Sequence, residues 1–385
     1  MIFSLFSSMA VFLYVGAVSM YYAQNELATF VEIAHAYAFM FGLSILLLVH
    51  YTIHLKSTQE LLKLIDSGVF EYDTKYGEEE DNKFRKTMEF YNSIFKNVFR
   101  IAIWVAYTIL VIFAPLLVSF TGEGNNQRLN EITYNLPVPL WMPFDMNTTL
   151  GYSLGYSLVC FNIGLIILYL SASIPFIVFV AFEVNIQYGI LKRSILGLEH
   201  RALEKYIGYC GLTEPQKETL RDDPIFVRCV QDSMKENILH HLEIVRLFDM
   251  YQDVTSSIFG VAIGVSMTIL ASLTIVLTKV NLLSVEALKF SFMYLVEVMV
   301  VFGYCLMGTF LTSGSQQIET ALYNCPWYNL HESQKKIFRI FQFRSSSSIE
   351  LKGSGLFLIN LQLFVQILQT TYSIFNIFSS MDGGN

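Results

Sequence analysis

Apolar residues gather into seven stretches, each long enough to cross a hydrocarbon core of about 30 Å. They lie near 3–22, 29–53, 100–120, 152–182, 254–278, 287–312 and 355–379. Each is predicted to be a helix, because lipid offers the backbone no hydrogen-bond partner. The intervening segments are patterned too. Across 81–101, Phe84, Met88, Tyr91 and Phe95 recur at helical spacing, so a helix should lead into the third span. The fourth span is predicted to continue as a helix through 186–206. Asp222 or Asp223 can cap a helix whose first position is Pro224, running on into span five. A further amphipathic piece is predicted over 316–342, and the acidic run Glu78, Glu79, Glu80, Asp81 reads as a solvated loop.

Charge orients these spans. Of the 25 Lys and Arg residues, all but Arg128, Lys279 and Lys289 fall in the loops after spans two, four and six. Basic loops stay in the cytoplasm, so the N-terminus is predicted inside and the C-terminus outside. This is the reverse of the G-protein-coupled seven-helix arrangement. The sequon Asn147-Thr148-Thr149 then lies outside, where it can be glycosylated. Residues 1–22 lack the basic n-region of a signal peptide and read as a span.

Composition agrees with a membrane protein. The 385 residues are 54% hydrophobic and 15% charged, against about 25% charged in soluble domains. Mean hydropathy is +0.47. A net charge of −7 gives no field for nucleic acid, and five scattered cysteines make no disulfide framework.

Candidate chemistry is sparse. Gly151-Tyr152-Ser153-Leu154-Gly155 matches a hydrolase elbow, but it opens a predicted membrane helix instead of following a strand. His50 and His54 share a helix face with no third metal ligand evident in sequence. No nucleotide-binding or zinc-protease motif occurs, so no enzyme, cofactor or metal is expected. Glu297 is an acid inside span six, a position that suggests a ligand, ion path or buried donor. Span seven carries no charge, yet Gln362, Gln366, Gln369, Ser373, Asn376 and Ser380 form one continuous stripe. Such a stripe suits a water-filled pore or a hydrogen-bonded helix interface.

The block from Ser315 through Ala321, Tyr323, Trp327-Tyr328 and Lys335-Lys336 to Thr371-Tyr372-Ser373-Ile374-Phe375 resembles the insect odorant receptors. The loop Leu136–Phe144 resembles theirs before span four. The sister gustatory receptors end in Thr-Tyr, five residues, then Gln-Phe; here those last positions are Phe378-Ser379. The family's shared co-receptor has a long insertion between spans four and five that this chain lacks, which marks it as a ligand-tuning subunit.

The resemblance implies an odorant-gated, non-selective cation channel in the plasma membrane of a sensory neuron. It implies a tetramer formed with the co-receptor, embedded in membrane lipid, with cytoplasmic helices making most subunit contacts. The expected organisation is 1–183 for spans one to four with an outer-half ligand pocket, 184–253 for cytoplasmic extensions, 254–312 for spans five and six, 313–354 for a pre-pore helix, and 355–385 for the pore-lining span. The pocket expected by resemblance draws on Tyr37, Phe113, Leu116, Tyr156, Met293 and Tyr294. The gate carried over falls at Phe375, with Phe378 and Ser379 one turn on and Thr371 on the same face. Phe375 lies about 140° from the polar stripe, so both faces cannot line one narrow pore. The resemblance favours the Phe375 face, leaving the stripe to pack against neighbouring helices. A gustatory-type channel, a multi-span transporter and a membrane hydrolase acting through Ser153 are the alternatives.

Overall fold

The computed structural model describes residues 2–113, 131–211, 223–281 and 285–382. Helix α1 (Ile2–Ala23) is followed by α2 (Leu27–Val49), which passes through a π turn (His50–His54) into α3 (Leu55–Asp66). Helix α4 spans Glu78–Thr108 and ends in a π turn, Ile109–Phe113. Then come α5 (Thr149–Leu196), α6 (Leu198–Cys210), α7 (Pro224–Lys279), α8 (Val285–Asn324), α9 (Glu332–Ser345) and α10 (Leu361–Asp382). Five of the described helical segments are long and apolar enough to cross a membrane: Phe6–Ala23, Leu27–Asp66, Thr149–Leu196, Pro224–Lys279 and Ala287–Asn324. The centre is α5, α7 and α8 packed on one another, with α2, α4 and α10 laid against them.

Local chemistry explains the helix ends. Asp223, of the two candidate caps, accepts from the Ile225 amide at 2.8 Å with Pro224 at the first position. From there one helix of 56 residues runs through span five. The acidic run is not a loop. Glu78–Asp81 form the first turn of α4 after Gly77 at φ +79°, where the helix dipole favours negative charge. Asp81 also pairs with Arg193 of α5. The fourth-span helix breaks at Gly197 instead of continuing to residue 206, and the position needs glycine because a Cβ there would meet the Tyr76 ring at 2.6 Å. Residues 316–324 belong to α8, and a 3-10 turn (Trp327–Asn329) precedes α9.

The last helix begins at Leu361, not 355. Lys352–Gly353 (β1) and Phe357–Leu358 (β2) pair antiparallel around Ser354 at φ +49° and Gly355 at φ +70°. The apolar residues 356–359 therefore read as helix in sequence but close a hairpin. That hairpin docks on α7 and α8. The Ser354 amide donates to the Ser256 carbonyl at 2.9 Å, and Gly308 admits the Ile359 carbonyl where a Cβ would clash.

On the side of the basic loops a buried polar network joins five segments. Arg201, 1% exposed, donates to Asn237 at 2.8 Å and to Thr74 at 3.2 Å, pairs with Ser194 and Glu236, and lies over the Tyr72 ring at 4.2 Å. The Tyr72 hydroxyl meets His240 Nδ1 at 2.7 Å, and His240 Nε2 meets Gln187 at 2.9 Å. Gln187 donates to Glu183 at 2.7 Å, and Arg85 clamps both Glu183 oxygens at 3.1 Å. Lys205 donates to Glu236 at 2.6 Å.

Burial, helped by the charges of His241 and Arg201, pushes His240 down to about 3. Burial also pushes His241 down to about 4. An unfolded histidine titrates near 6.5, so the unfolded chain binds more protons in acid. Stability is then full above pH 6.5 and falls as the pH drops, by about 1.4 kcal/mol per unit for each group. Thermal unfolding of the purified protein should show a loss of about 2 kcal/mol per histidine between pH 6.5 and 5. A His240→Gln variant should lose its share of that slope.

Candidate functional site

Opposite the basic side, two apolar clusters hold three of the expected pocket residues, Tyr156, Met293 and Tyr294. One joins Met9, Phe12 and Val15 of α1 and Val159 of α5 to the loop residues Leu136, Val138, Leu140 and Met142. The loop is fastened by the Trp141 amide donating to Ser19 Oγ at 2.8 Å and by Tyr134 donating to Glu26 at 2.8 Å. Tyr156 packs on this cluster, with its hydroxyl on the Val111 carbonyl. The second cluster lies between α2, α7 and α8 and contains Val31, Ile269, Leu273, Val276 and Phe290, with Met293 and Tyr294 against it. Tyr37 faces α1, its ring 3.1 Å from where a Gly16 Cβ would stand and stacked on Phe41 at 6.2 Å. Phe113 closes the π turn after α4. Leu116 lies outside the described residues.

The structure thus seats the neighbours Met293 and Tyr294 on the second cluster and Tyr156 on the first. It adds a residue that the sequence did not single out. His35 sits on α2, stacked on Phe39 at 5.1 Å, with a buried Nδ1 that has no hydrogen-bond partner. Beside it Lys289 of α8 pairs with Glu32 of α2. By helical rise, His35 and Met293 both lie about 12 Å from the outer ends of their helices. A lone histidine in apolar sequence gives no signal of its own. What marks it is the neighbour brought in by α8.

Glu297 is 3% exposed, with one carboxylate oxygen unpartnered and Ser266 of α7 beside the other. Ser153 is exposed on α5 and donates to the Thr149 carbonyl at 2.8 Å, so the elbow sequence is one turn of helix. His54 Nδ1 lies 3.8 Å from Asp253, a carboxylate the sequence had not placed there. Asn147 is exposed, its side chain donating to Asp145 at 3.0 Å.

The last helix is where the arrangement differs most from expectation. Its packed face runs through Phe364, Ile367, Thr371, Ile374 and Phe378. Phe364 meets Phe302 of α8 edge-on at 5.3 Å, and Thr371 is buried with its hydroxyl on the Ile367 carbonyl at 2.8 Å. Phe364 and Thr371, which share the Phe375 face, are thus turned into the subunit; Phe375 stands at the edge, 40% exposed, and Ser379 is exposed. Gln362, Gln366, Gln369, Ser373, Asn376 and Ser380 are all exposed. Among the described residues the stripe packs on no other helix, and the apolar side of α10 faces the bundle. Ile377, one turn beyond Ser373, is exposed on the same side.

A family profile described as 7tm Odorant receptor matches residues 29–372. Odorant receptor 33b of Drosophila melanogaster is 23% identical over 151 residues, 38% of each chain. Odorant receptor 10a of the same fly is 26% identical over 169 residues, 43% of this chain and 40% of that one. The matches therefore span about two fifths of these curated relatives. Among solved structures, the insect olfactory receptor OR5 from Machilis hrabei in complex with eugenol aligns with a TM-score of 0.68 at 16% identity, over 97% of this chain and 88% of that one. The structure described as OR5 alone gives 0.63 at 14% identity, over 96% and 87%.

Proposed function

Because the chain belongs to the 7tm odorant receptor family, we propose that it is an odorant-sensing subunit of a ligand-gated, non-selective cation channel. It is an all-helical, multi-pass membrane protein with a seven-span fold. The reading extends to a tetramer with the family's co-receptor in the plasma membrane of a sensory neuron. The amino end faces the cytoplasm and Asn147 is glycosylated outside. The 22-to-3 division of Lys and Arg between the two sides supports that orientation.

The observation that carries the channel reading is α10, whose bundle-facing side is apolar and whose outward side is a continuous polar stripe. In a ring of subunits that outward side faces a central pore or a neighbouring subunit. A polar, uncharged lining passes hydrated ions, and Ile377 on the same side can supply an apolar ring that gates by dewetting. Phe375, at the edge of the packed face, would flank the pore and couple it to the bundle.

The ligand site proposed is the α2–α7–α8 cluster, with Met293, Tyr294 and Phe290 as apolar wall and His35 as hydrogen-bonding group. A mainly apolar site with one or two polar groups suits a small volatile molecule. Eugenol, bound by the OR5 structure, has that chemistry. Tyr37, Tyr156, Phe113 and Leu116 are the remaining candidates. Ligand opens the pore by favouring one packing of α8 against α10 over another.

Whole-cell recording with and without the co-receptor tests the function. Odorant-evoked cation current that needs both chains supports it; solute uptake without such current contradicts it. His35→Phe should raise the half-activating concentration of hydrogen-bonding odorants about tenfold, the loss of one hydrogen bond. Apolar odorants should be affected far less.

A further inference from the structure

A cavity of about 290 Å³ opens on the basic side of the bundle, near the small end of the range for ligand sites. Tyr188 of α5 and His241 of α7 form one wall, and the end of α9 with the segment leading to the last helix forms the other. Ser315, also in its wall, lies three residues past the predicted end of span six, about 4.5 Å by helical rise. The cavity therefore sits at headgroup level.

Its polar groups are unspent. The Tyr188 hydroxyl and Ser345 Oγ are buried and have no hydrogen-bond partner among the described residues, in residues only 2% and 4% exposed. Buried hydroxyls are nearly always bonded, so two orphans in one cavity point to a missing occupant. Arg344, in the same wall, makes no hydrogen bond or ion pair among the described residues, yet its charge reaches both Tyr188 and His241. His241 is held neutral against the edge of Phe341 at 5.5 Å, so its ring can donate through one nitrogen and accept through the other. Asp249 and Glu350 stand exposed at the mouth.

We propose that this cavity binds a phosphomonoester carried on a polyol. The Arg344 guanidinium forks onto the phosphate oxygens, as its planar donors suit. Tyr188 and Ser345 donate to the same group. The Asp249 and Glu350 carboxylates accept from polyol hydroxyls, which a bare inorganic anion lacks. The phosphate comes either from an inositol lipid headgroup in the adjoining leaflet or from a soluble sugar or inositol phosphate.

Occupancy would tie α5 and α7 to the hairpin that starts the last helix. Gln252 of α7 already holds Lys352 there, accepting from its amide at 2.8 Å and donating to its carbonyl at 2.7 Å. The effect on gating rests on the channel reading, whereas binding does not, so failure of one is separable from failure of the other.

The test measures equilibrium binding to the full-length protein in nanodiscs. One arm uses phosphatidylcholine nanodiscs titrated with myo-inositol 1-phosphate. The other uses nanodiscs containing phosphatidylinositol 4-phosphate, read by displacement of a labelled headgroup analogue. Saturable binding in either arm supports the proposal and identifies the source. Arg344→Gln and Tyr188→Phe should each weaken it about tenfold; the first residue is exposed and the second variant keeps its ring, so both should fold. No saturable binding in either arm, or binding unchanged by both substitutions, would leave a cavity that holds only water and overturn the proposal.

Discussion

Arg201→Ala is expected to destabilise the folded chain by about 3 kcal/mol, the cost of breaking several buried, charge-assisted hydrogen bonds at once. A folded domain typically has only about 5–15 kcal/mol in hand, so little protein should reach the cell surface. The network explains the size. Arg201 is 1% exposed, and its loss removes charge-assisted bonds to Glu236, Asn237 and Ser194 in one stroke, leaving Glu236 with Lys205 alone. Its guanidinium also covers the Tyr72 ring, whose hydroxyl continues to His240 and Gln187. Removing the carboxylate as well, in Arg201→Ala with Glu236→Ala, should bring no recovery, because the buried Lys205 ammonium then loses its close partner. Thermal unfolding of detergent-purified protein, with surface labelling in cells, measures both. A single variant as stable as the parent would show the network to be dispensable.

The second large effect concerns conduction. Gln369→Lys places a cation on the outward side of α10, which this account assigns to the pore. In a tetramer, a ring of such charges in a narrow lining should cut cation current tenfold or more. Surface expression should stay near that of the parent, because Gln369 is exposed and no helix of the subunit packs on it. Thr371→Lys is the contrast. Thr371 is buried on the packed face, and a lysine there costs about 2.5–3.5 kcal/mol in a membrane helix. That variant should be lost at the level of folding, not conduction.

Much of the fold is written in local pattern. The Asp223-Pro224 start of α7 needs only a capping carboxylate and a residue with no amide to satisfy. The spans follow from runs of apolar residues, and the basic loops from a count of Lys and Arg. What sequence could not give is which distant residues meet. Arg201 counts as one more positive loop residue until α6 folds back on α7 and brings Glu236 to it. The hairpin at 352–358 is invisible because Leu356–Ile359 look like the first turn of an apolar helix. The facing of the last helix is the sharpest case. Periodicity reveals a polar stripe and an apolar face about 140° away, but not which is turned inward. Contact with Phe302 shows that the Phe364 side is turned inward. His35 has the same lesson at the proposed ligand site, since its nitrogen, unpartnered among the described residues, has meaning only beside Lys289.

The most direct test is cysteine accessibility along α10. Single cysteines at Gln369, Ser373, Asn376, Thr371 and Ile374 would be exposed to a membrane-impermeant, charged thiol reagent during odorant-evoked recording. The account predicts irreversible block at Gln369, Ser373 and Asn376, faster when ligand is present, and none at Thr371 or Ile374. Block at Thr371 and Ile374 with the stripe positions unaffected would contradict it, because the conducting path would then follow the face that α10 turns to its own bundle.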